Sequence, residues 1–115
     1  MGVFKDDADR ADALFHALAD RTRRDILRRV LASEHSVSAL AQNYAMSFAA
    51  VQKHVAVLER AGLVTKRRRG REQLASGEVE AVRSVAALLS ELEQIWRGRV
   101  ARIDALLAAD PDQEK

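Results

Sequence analysis

One short segment, residues 47–58, combines an apolar stripe with side chains that suit contact with a nucleic acid. Val51, Val55 and Leu58 stand at i, i+4 and i+7, which predicts the buried stripe of an α-helix. Positions off that stripe carry the candidates for contact with base edges and phosphates: Ser47, Phe48, Ala49, Gln52 and Lys53. We expect Gln52 to read bases, because glutamine forms a bidentate pair with adenine, and Lys53 to bind chiefly phosphate.

Basic side chains follow this helix in the sequence. Four arginines surround Gly70: Arg67, Arg68, Arg69 and Arg71. They form either a solvated turn or a contact with the DNA backbone or minor groove, and their position beside the predicted reading helix favours DNA. His54 either contacts phosphate or packs beneath its helix, and we interpret it as a residue close to DNA.

The distribution of charge supports a polyanionic partner. The net charge is only +2, yet residues 21–29 carry +4 and residues 53–71 carry +6, while residues 1–20 and 72–115 carry −3 and −4. In a chain whose helices were uniformly solvated, positively and negatively charged residues would be interspersed along the sequence. Two basic segments between acidic ends therefore predict a surface that binds a polyanion such as double-stranded DNA.

The composition excludes several classes of protein. A chain of 115 residues predicts one domain over residues 1–115, and the lack of Cys excludes disulfides, zinc–thiolate sites and thiol nucleophiles. No phosphate-binding Gly loop, Gly-flanked Ser or catalytic His–carboxylate spacing is present, so we predict no enzyme activity and no cofactor. His16 and His35 lack companion ligands and predict no metal site. Without an apolar run near the ~20 residues that cross a bilayer, we expect a soluble, cytoplasmic protein with no membrane contact.

A mainly α-helical domain with a small hairpin is predicted to position these side chains. Periodicity and capping residues predict helices over residues 7–19, 20–33, 36–44 and 47–62. Residues 63–67 and 71–74 predict a β-hairpin around Gly70, and Ser76-Gly77 predicts a break before a helix over residues 78–109, which Asp110-Pro111 ends. This order is that of a winged helix-turn-helix, whose fourth helix enters a major groove and whose hairpin forms the wing.

The helix predicted over residues 78–109 is longer than a small domain needs. Its apolar residues recur at steps of three and four: Val82, Val85, Leu89, Leu92, Trp96, Val100, Ile103 and Leu107. Such a seam packs against another helix, either within the chain or in a second subunit. A helix that extends beyond its own globular domain more often packs against a second subunit, and two-fold dimers are the commonest such arrangement. We therefore expect a homodimer.

Three segments resemble the ArsR family of dimeric transcriptional regulators: LFHALADRTRRDIL over residues 14–27, VSALAQNYAMSFAAVQKHVAVLERAGLV over 37–64 and KRRRGRE over 66–72. The resemblance implies a winged helix-turn-helix whose first and last helices form the dimer interface, which places Leu14 and Phe15 there. It also implies that the dimer reads a palindromic operator, usually as a repressor, with half-sites about one helical turn apart.

Two departures from the family pattern refine these expectations. Metal-sensing members carry paired Cys in the third helix or His and carboxylate ligands in the last, whereas this chain has Ala39, Ala41 and Asn43 in the former and no His in the latter. The resemblance therefore implies the type that does not sense metals, and no residue pattern assigns an effector. The return strand, Gln73-Leu74-Ala75-Ser76, lacks the family's aromatic residue, so we expect a short or irregular wing.

One alternative function keeps the same fold. A winged-helix module for protein–protein interaction would use the acidic and apolar faces and bind no specific DNA. Salt distinguishes the two functions, because each phosphate contact lowers log affinity by about 0.9 per decade of salt, whereas apolar contacts change little.

Overall fold

The computed structural model describes residues 6–109, and within them five α-helices and three β-strands follow one another. Their bounds are α1 Asp7–Leu18, α2 Arg21–Ala32, β1 His35–Ser36, α3 Val37–Ala41, α4 Phe48–Arg60, β2 Val64–Arg69, β3 Glu72–Gly77 and α5 Val79–Ala108. This order confirms the predicted winged helix-turn-helix. Asp110 and Pro111, the residues predicted to end the last helix, lie outside the described residues.

Side-chain caps fix where the first four helices begin. Asp6, Asp20, Ser36 and Ser47 each accept a hydrogen bond from the backbone N–H three residues later, at 2.9 to 3.1 Å. Each such cap contributes about 1 kcal/mol, because it satisfies an N–H that has no partner within the helix. The α4 helix closes before Gly62, whose φ of 84° lies in the left-handed region that glycine adopts without strain.

The apolar faces of α1 to α4 meet in one core with the base of the sheet. Its fully buried large side chains are Ile26, Leu40, Val51, Val55, Leu58, Leu63 and Val64. Leu14, assigned above to the dimer interface, is only 3% exposed and belongs to this core. A side chain buried within its own chain offers a partner almost no surface, so Phe15, which is 39% exposed, is the α1 candidate for such a contact.

The three strands form an antiparallel sheet in the order β1-β3-β2. We name β2, β3 and their Gly70-Arg71 loop the wing. Arg69 pairs with Glu72, so the loop has two residues, and a φ of 63° at Gly70 is what a type II′ turn needs at its first position. The wing is therefore well formed.

The predictions of a short or irregular wing and of a break at Ser76-Gly77 are both wrong. Each wing strand has six residues, and Ser76 and Gly77 belong to β3. β3 needs no aromatic residue because it is the central strand, paired on both sides and buried at Leu74 and Ala75. Gly77 permits close packing on α2, since a Cβ there would lie 2.6 Å from Cδ2 of Leu31.

The chain divides into two compact units, one up to Val85 and one from Ala86 onward. The first unit contains α1 to β3 and the start of α5, and the described part of the second is the remainder of that helix. The observed α5 confirms the predicted helix to within one residue at each end. Among the described residues, no helix has both the length and the apolar character needed to cross a membrane.

Candidate nucleic-acid interface

The α4 helix is held by its apolar side and exposed on its polar side. Val51, Val55 and Leu58 are at most 1% exposed and pack in the core between α2, α3 and β2. The residues predicted to contact DNA lie on the exposed side of its first two turns: Ser47, Phe48, Ala49, Gln52 and Lys53. Phe48 is 46% exposed although it is aromatic, so the start of α4 presents apolar as well as polar groups.

A polar cluster ties the turn before α4 to α2. The Tyr44 hydroxyl donates to Oδ2 of Asp25 at 2.6 Å, and Nε of Arg29 donates to the same oxygen at 3.0 Å. The Arg29 guanidinium also lies 5.9 Å from the centre of the Tyr44 ring. Burial and the Asp25 carboxylate raise the pKa of Tyr44 to about 12, so this hydroxyl remains a donor at neutral pH. The cluster therefore fixes the position of the loop that leads to Ser47, the N-cap residue of α4.

The sequence reasoning missed this cluster. Asp25 and Arg29 stand at i, i+4 on α2, a spacing that brings side chains together on a helix surface. The spacing predicts their ion pair. It does not show that Tyr44, the only tyrosine of the chain, approaches it from 19 residues away.

His54 is the most buried of the predicted α4 contacts. Its Nδ1 lies 3.4 Å from an Arg23 nitrogen, and the ring is half-buried against the α1–α2 junction. Arg23 donates from Nε to the Ala17 carbonyl at 2.8 Å and from its other terminal nitrogen to the His16 carbonyl at 2.9 Å. The structure thus gives Arg23 partners within the chain, which the cation needs at a helix N-terminus, and places His54 beside it.

The four wing arginines have different surroundings. Arg67 forms a two-pronged ion pair with Glu34, at 2.9 and 2.8 Å, and Nε of Arg68 donates to the Gly70 carbonyl at 3.2 Å. Arg69 and Arg71 are exposed, and within residues 6–109 their side chains have neither a hydrogen-bond nor an ion-pair partner. The structure therefore distinguishes Arg67, which is ion-paired, from the other three arginines, which have no ion-pair partner among residues 6–109.

A groove of about 270 Å³ runs between α4 and the wing. Its lining residues come from α3, α4 and the wing: Val37, Ser38, Phe48, Gln52, Val55, Lys66, Arg71, Glu72 and Gln73. Lys66, which lies 3.3 Å from a Glu59 carboxylate oxygen, was not predicted as part of the site. Alternation along β2 identifies Lys66 on the same face as the buried Val64, the face that meets α4.

The predicted α5 seam is exposed along most of its length. Leu89, Leu92, Trp96, Val100, Ile103 and Leu107 are between 36% and 57% exposed. The Arg99 guanidinium lies 5.8 Å from the Trp96 ring and flanks the seam. Val85, by contrast, is buried in the core of the first unit.

Comparison with known proteins identifies the family. Residues 18–67 match a family model described as a helix-turn-helix domain. The chain is 31% identical over 101 residues to the HTH-type transcriptional regulator Rv2034 of Mycobacterium tuberculosis. The aligned residues cover 88% of this chain and 92% of that protein. The crystal structure of an ArsR family transcriptional regulator, RHA00566, has a TM-score of 0.75 and 31% identity, covering 84% of this chain and 97% of that one. The chain belongs to the ArsR family of helix-turn-helix transcriptional regulators.

A third solved structure shares the fold. The homodimeric winged helix-turn-helix DNA-binding domain of Mycobacterium bovis, a possible ArsR-family regulator, has 24% identity and a TM-score of 0.63, covering 82% of this chain and 92% of that one. At that identity the likeness concerns the fold. In this protein, residues 18–67, which match the helix-turn-helix model, include all of α2, α3 and α4. They therefore include every candidate residue of α4.

Proposed function

We propose that this ArsR-family protein acts in the cytoplasm as a homodimeric repressor, with α4 in the major groove of a palindromic operator. The observation that carries the proposal is the exposed first half of α4. Gln52 and Lys53 are exposed on a helix whose opposite face is fully buried, so their backbone is held rigidly relative to the core. A rigid helix with polar residues at its N-terminal turns is how helix-turn-helix proteins read base edges.

The wing supplies the second part of the proposed interface. Arg68, Arg69 and Arg71 flank the turn at its tip, and Arg71 lines the groove between the wing and α4. Cations there neutralise phosphates and release counterions, which raises affinity for any duplex without reading its sequence. We assign Gln52 and Ser47 to base contacts and the wing arginines to the backbone.

Dimerisation is proposed through α5 with Phe15 from α1, within one domain over residues 1–115. Its support is the exposed seam of large apolar side chains, since a monomer seldom leaves so many in water along one helix. The homodimeric Mycobacterium bovis domain adds to that support. A two-fold dimer would present two copies of α4, so the operator is an inverted repeat with half-sites about one helical turn apart.

The proposal does not include sensing through a thiolate-bound metal. The 115 residues contain no cysteine. Within the described residues, no three His, Asp or Glu side chains lie close enough together to hold a metal ion.

Selection from a random pool of duplexes tests the DNA-binding part. We expect enrichment of an inverted repeat, and an affinity that falls by about 0.9 log units per phosphate contact for each decade of salt. A reporter gene placed behind the enriched sequence should be expressed less when the protein is present. No enrichment, with affinity for duplexes independent of salt, would instead favour the protein–protein interaction module.

A single pair of variants tests the dimer. Leu92→Asp places a charge on the proposed seam, where the side chain is 57% exposed, so the subunit itself should fold normally. We expect sedimentation to show a monomer, with loss of binding to the inverted repeat. Gln94→Asp is the matched control, because residue 94 lies off the predicted seam and carries the same added charge. A dimer in both variants would contradict the assigned interface.

A further inference from the structure

Glu34 occupies a position in the charge pattern that DNA binding alone does not explain. It is the only charged residue in the segment 30–52, between the two basic segments. It lies in the link from α2 to β1, and β1 pairs with the central strand of the sheet. An unpaired carboxylate beside a surface that attracts phosphate would repel the phosphates, unless a cation neutralises its charge.

In the structure, the Glu34 carboxylate is bound by two side chains of the wing. Its Oε2 accepts from Nε of Arg67 at 2.9 Å and from the Ser76 hydroxyl at 3.0 Å, and its Oε1 accepts from a terminal nitrogen of Arg67 at 2.8 Å. These bonds lower the pKa of Glu34, Arg67 first and Ser76 second, so the carboxylate stays charged at neutral pH. Two parallel N–H···O bonds are also the geometry in which an arginine binds a phosphate.

The pair is not what holds the wing together. The Arg67 and Glu34 side chains are 60% and 32% exposed, and an ion pair this open to water contributes little to stability. The sheet has its own support in Val64, Leu74 and Ala75, which are all buried. The main effect of the pair is therefore on charge, because it neutralises one of four wing arginines.

We propose that Glu34 acts as an intramolecular substitute for a DNA phosphate, which withholds Arg67 from the duplex and limits sequence-independent affinity. The inference rests on the proposed DNA-binding function and adds a specificity-determining residue to it. Arg68, Arg69 and Arg71 remain available for the backbone. Arg67, which the sequence reasoning grouped with them, is reassigned to the pair with Glu34.

Glu34→Gln tests this assignment, because the amide preserves the shape and the Ser76 contact but releases the Arg67 charge. We expect binding to a random duplex to become about five- to tenfold tighter near 0.1 M salt, and the salt slope to steepen by about 0.9. Arg67→Ala alone should weaken binding to both duplexes severalfold, because it leaves the Glu34 carboxylate without its cation beside the surface that attracts phosphate.

The double variant tests whether Arg67 contacts phosphate in the wild type. Glu34→Gln/Arg67→Ala removes one charge of each sign and keeps the net charge of the wild type, so its binding should return to within about twofold of the wild-type value. Asp12→Asn is the control for loss of a negative charge elsewhere, because Asp12 is exposed on α1, outside the groove and without an ion-pair partner among residues 6–109, and it should leave the salt slope unchanged. Thermal unfolding of every variant confirms that the folded protein is being compared.

Three results would overturn the inference. Unchanged or weaker binding by Glu34→Gln would show that the pair positions the wing for DNA. Severalfold weaker binding by the double variant than by the wild type would show that Arg67 already contacts phosphate, and tightening of equal size in Asp12→Asn would show a general charge effect. If the wild type binds neither the selected nor the random duplex, the proposed function fails as well, which distinguishes the two failures.

Discussion

The α4 helix and the wing present similar polar and basic groups, but their surroundings differ. The α4 helix is fixed by a stripe of fully buried apolar side chains and by the Ser47 cap. The wing beyond Val64 is largely exposed on β2, where two of its cations form surface ion pairs, Arg67 with Glu34 and Lys66 with Glu59. Burial does not respond to salt or to an approaching phosphate, whereas surface ion pairs respond to both.

This difference suggests a division of labour. A helix that reads bases must keep its side chains in register with the groove, and apolar burial supplies that rigidity. A wing that binds the backbone needs charge more than fixed geometry, and its ion pairs adjust how much charge is available. The following predictions test the comparison, beginning with the largest expected effect.

Leu58→Ala should destabilise the protein far more than any change in the wing. Leu58 is 0% exposed, so its truncation leaves a cavity and should lower the free energy of unfolding by about 2–5 kcal/mol. Arg69→Ala, in the exposed part of β2, should change it by no more than about 0.5 kcal/mol. Urea denaturation measures both. Similar losses in the two variants would mean that burial does not distinguish α4 from the wing.

Tyr44→Phe should have an intermediate effect, acting on the turn that leads into α4. It removes the 2.6 Å hydrogen bond to Asp25 and keeps the ring over Arg29, so we expect a loss of about 1 kcal/mol in unfolding free energy. Specific DNA binding should weaken more than random binding, because the position of α4 changes while its charge does not. Equal weakening on both duplexes would argue against a role in positioning α4.

Acid should affect the wing pair in a defined range of pH. The Arg67 and Ser76 hydrogen bonds hold the pKa of Glu34 below its ordinary value. The stabilisation by the pair is therefore complete above that ordinary value, about 4.3, and is lost as the pH falls through the lowered one. Titration of the Glu34 carboxyl by NMR should show the low pKa, and Arg67→Ala should raise it towards the ordinary value. An unchanged pKa in Arg67→Ala would contradict the pairing.

The same contrast explains which parts of the structure could be predicted from the sequence. The α4 helix was predictable because its cap, its stripe and its closing glycine all lie within residues 47–62 and act locally. The regular wing was not, because β3 derives its order from pairing with β1 and β2, which local pattern does not reveal. The two-residue strand β1 gave no periodic signal at all.

Side-chain partners far apart in sequence were missed for the same reason. Glu34 and Arg67 are 33 residues apart, and charge counting alone groups Arg67 with its neighbours. Leu14 and Phe15 are adjacent, and only the packing of α1 shows that the first is buried while the second is exposed. The composition could establish that the site is basic, but not which cations are free.

The most direct test of the account compares Gln52→Ala with Arg69→Ala on the selected operator and on a random duplex. Gln52→Ala should lose about 1–3 kcal/mol of discrimination between the two duplexes, while its salt slope stays that of the wild type. Arg69→Ala should weaken binding to both duplexes by the same factor and reduce the slope by about 0.9. Equal losses on both duplexes for both variants would contradict the claim that α4 reads sequence and the wing supplies charge.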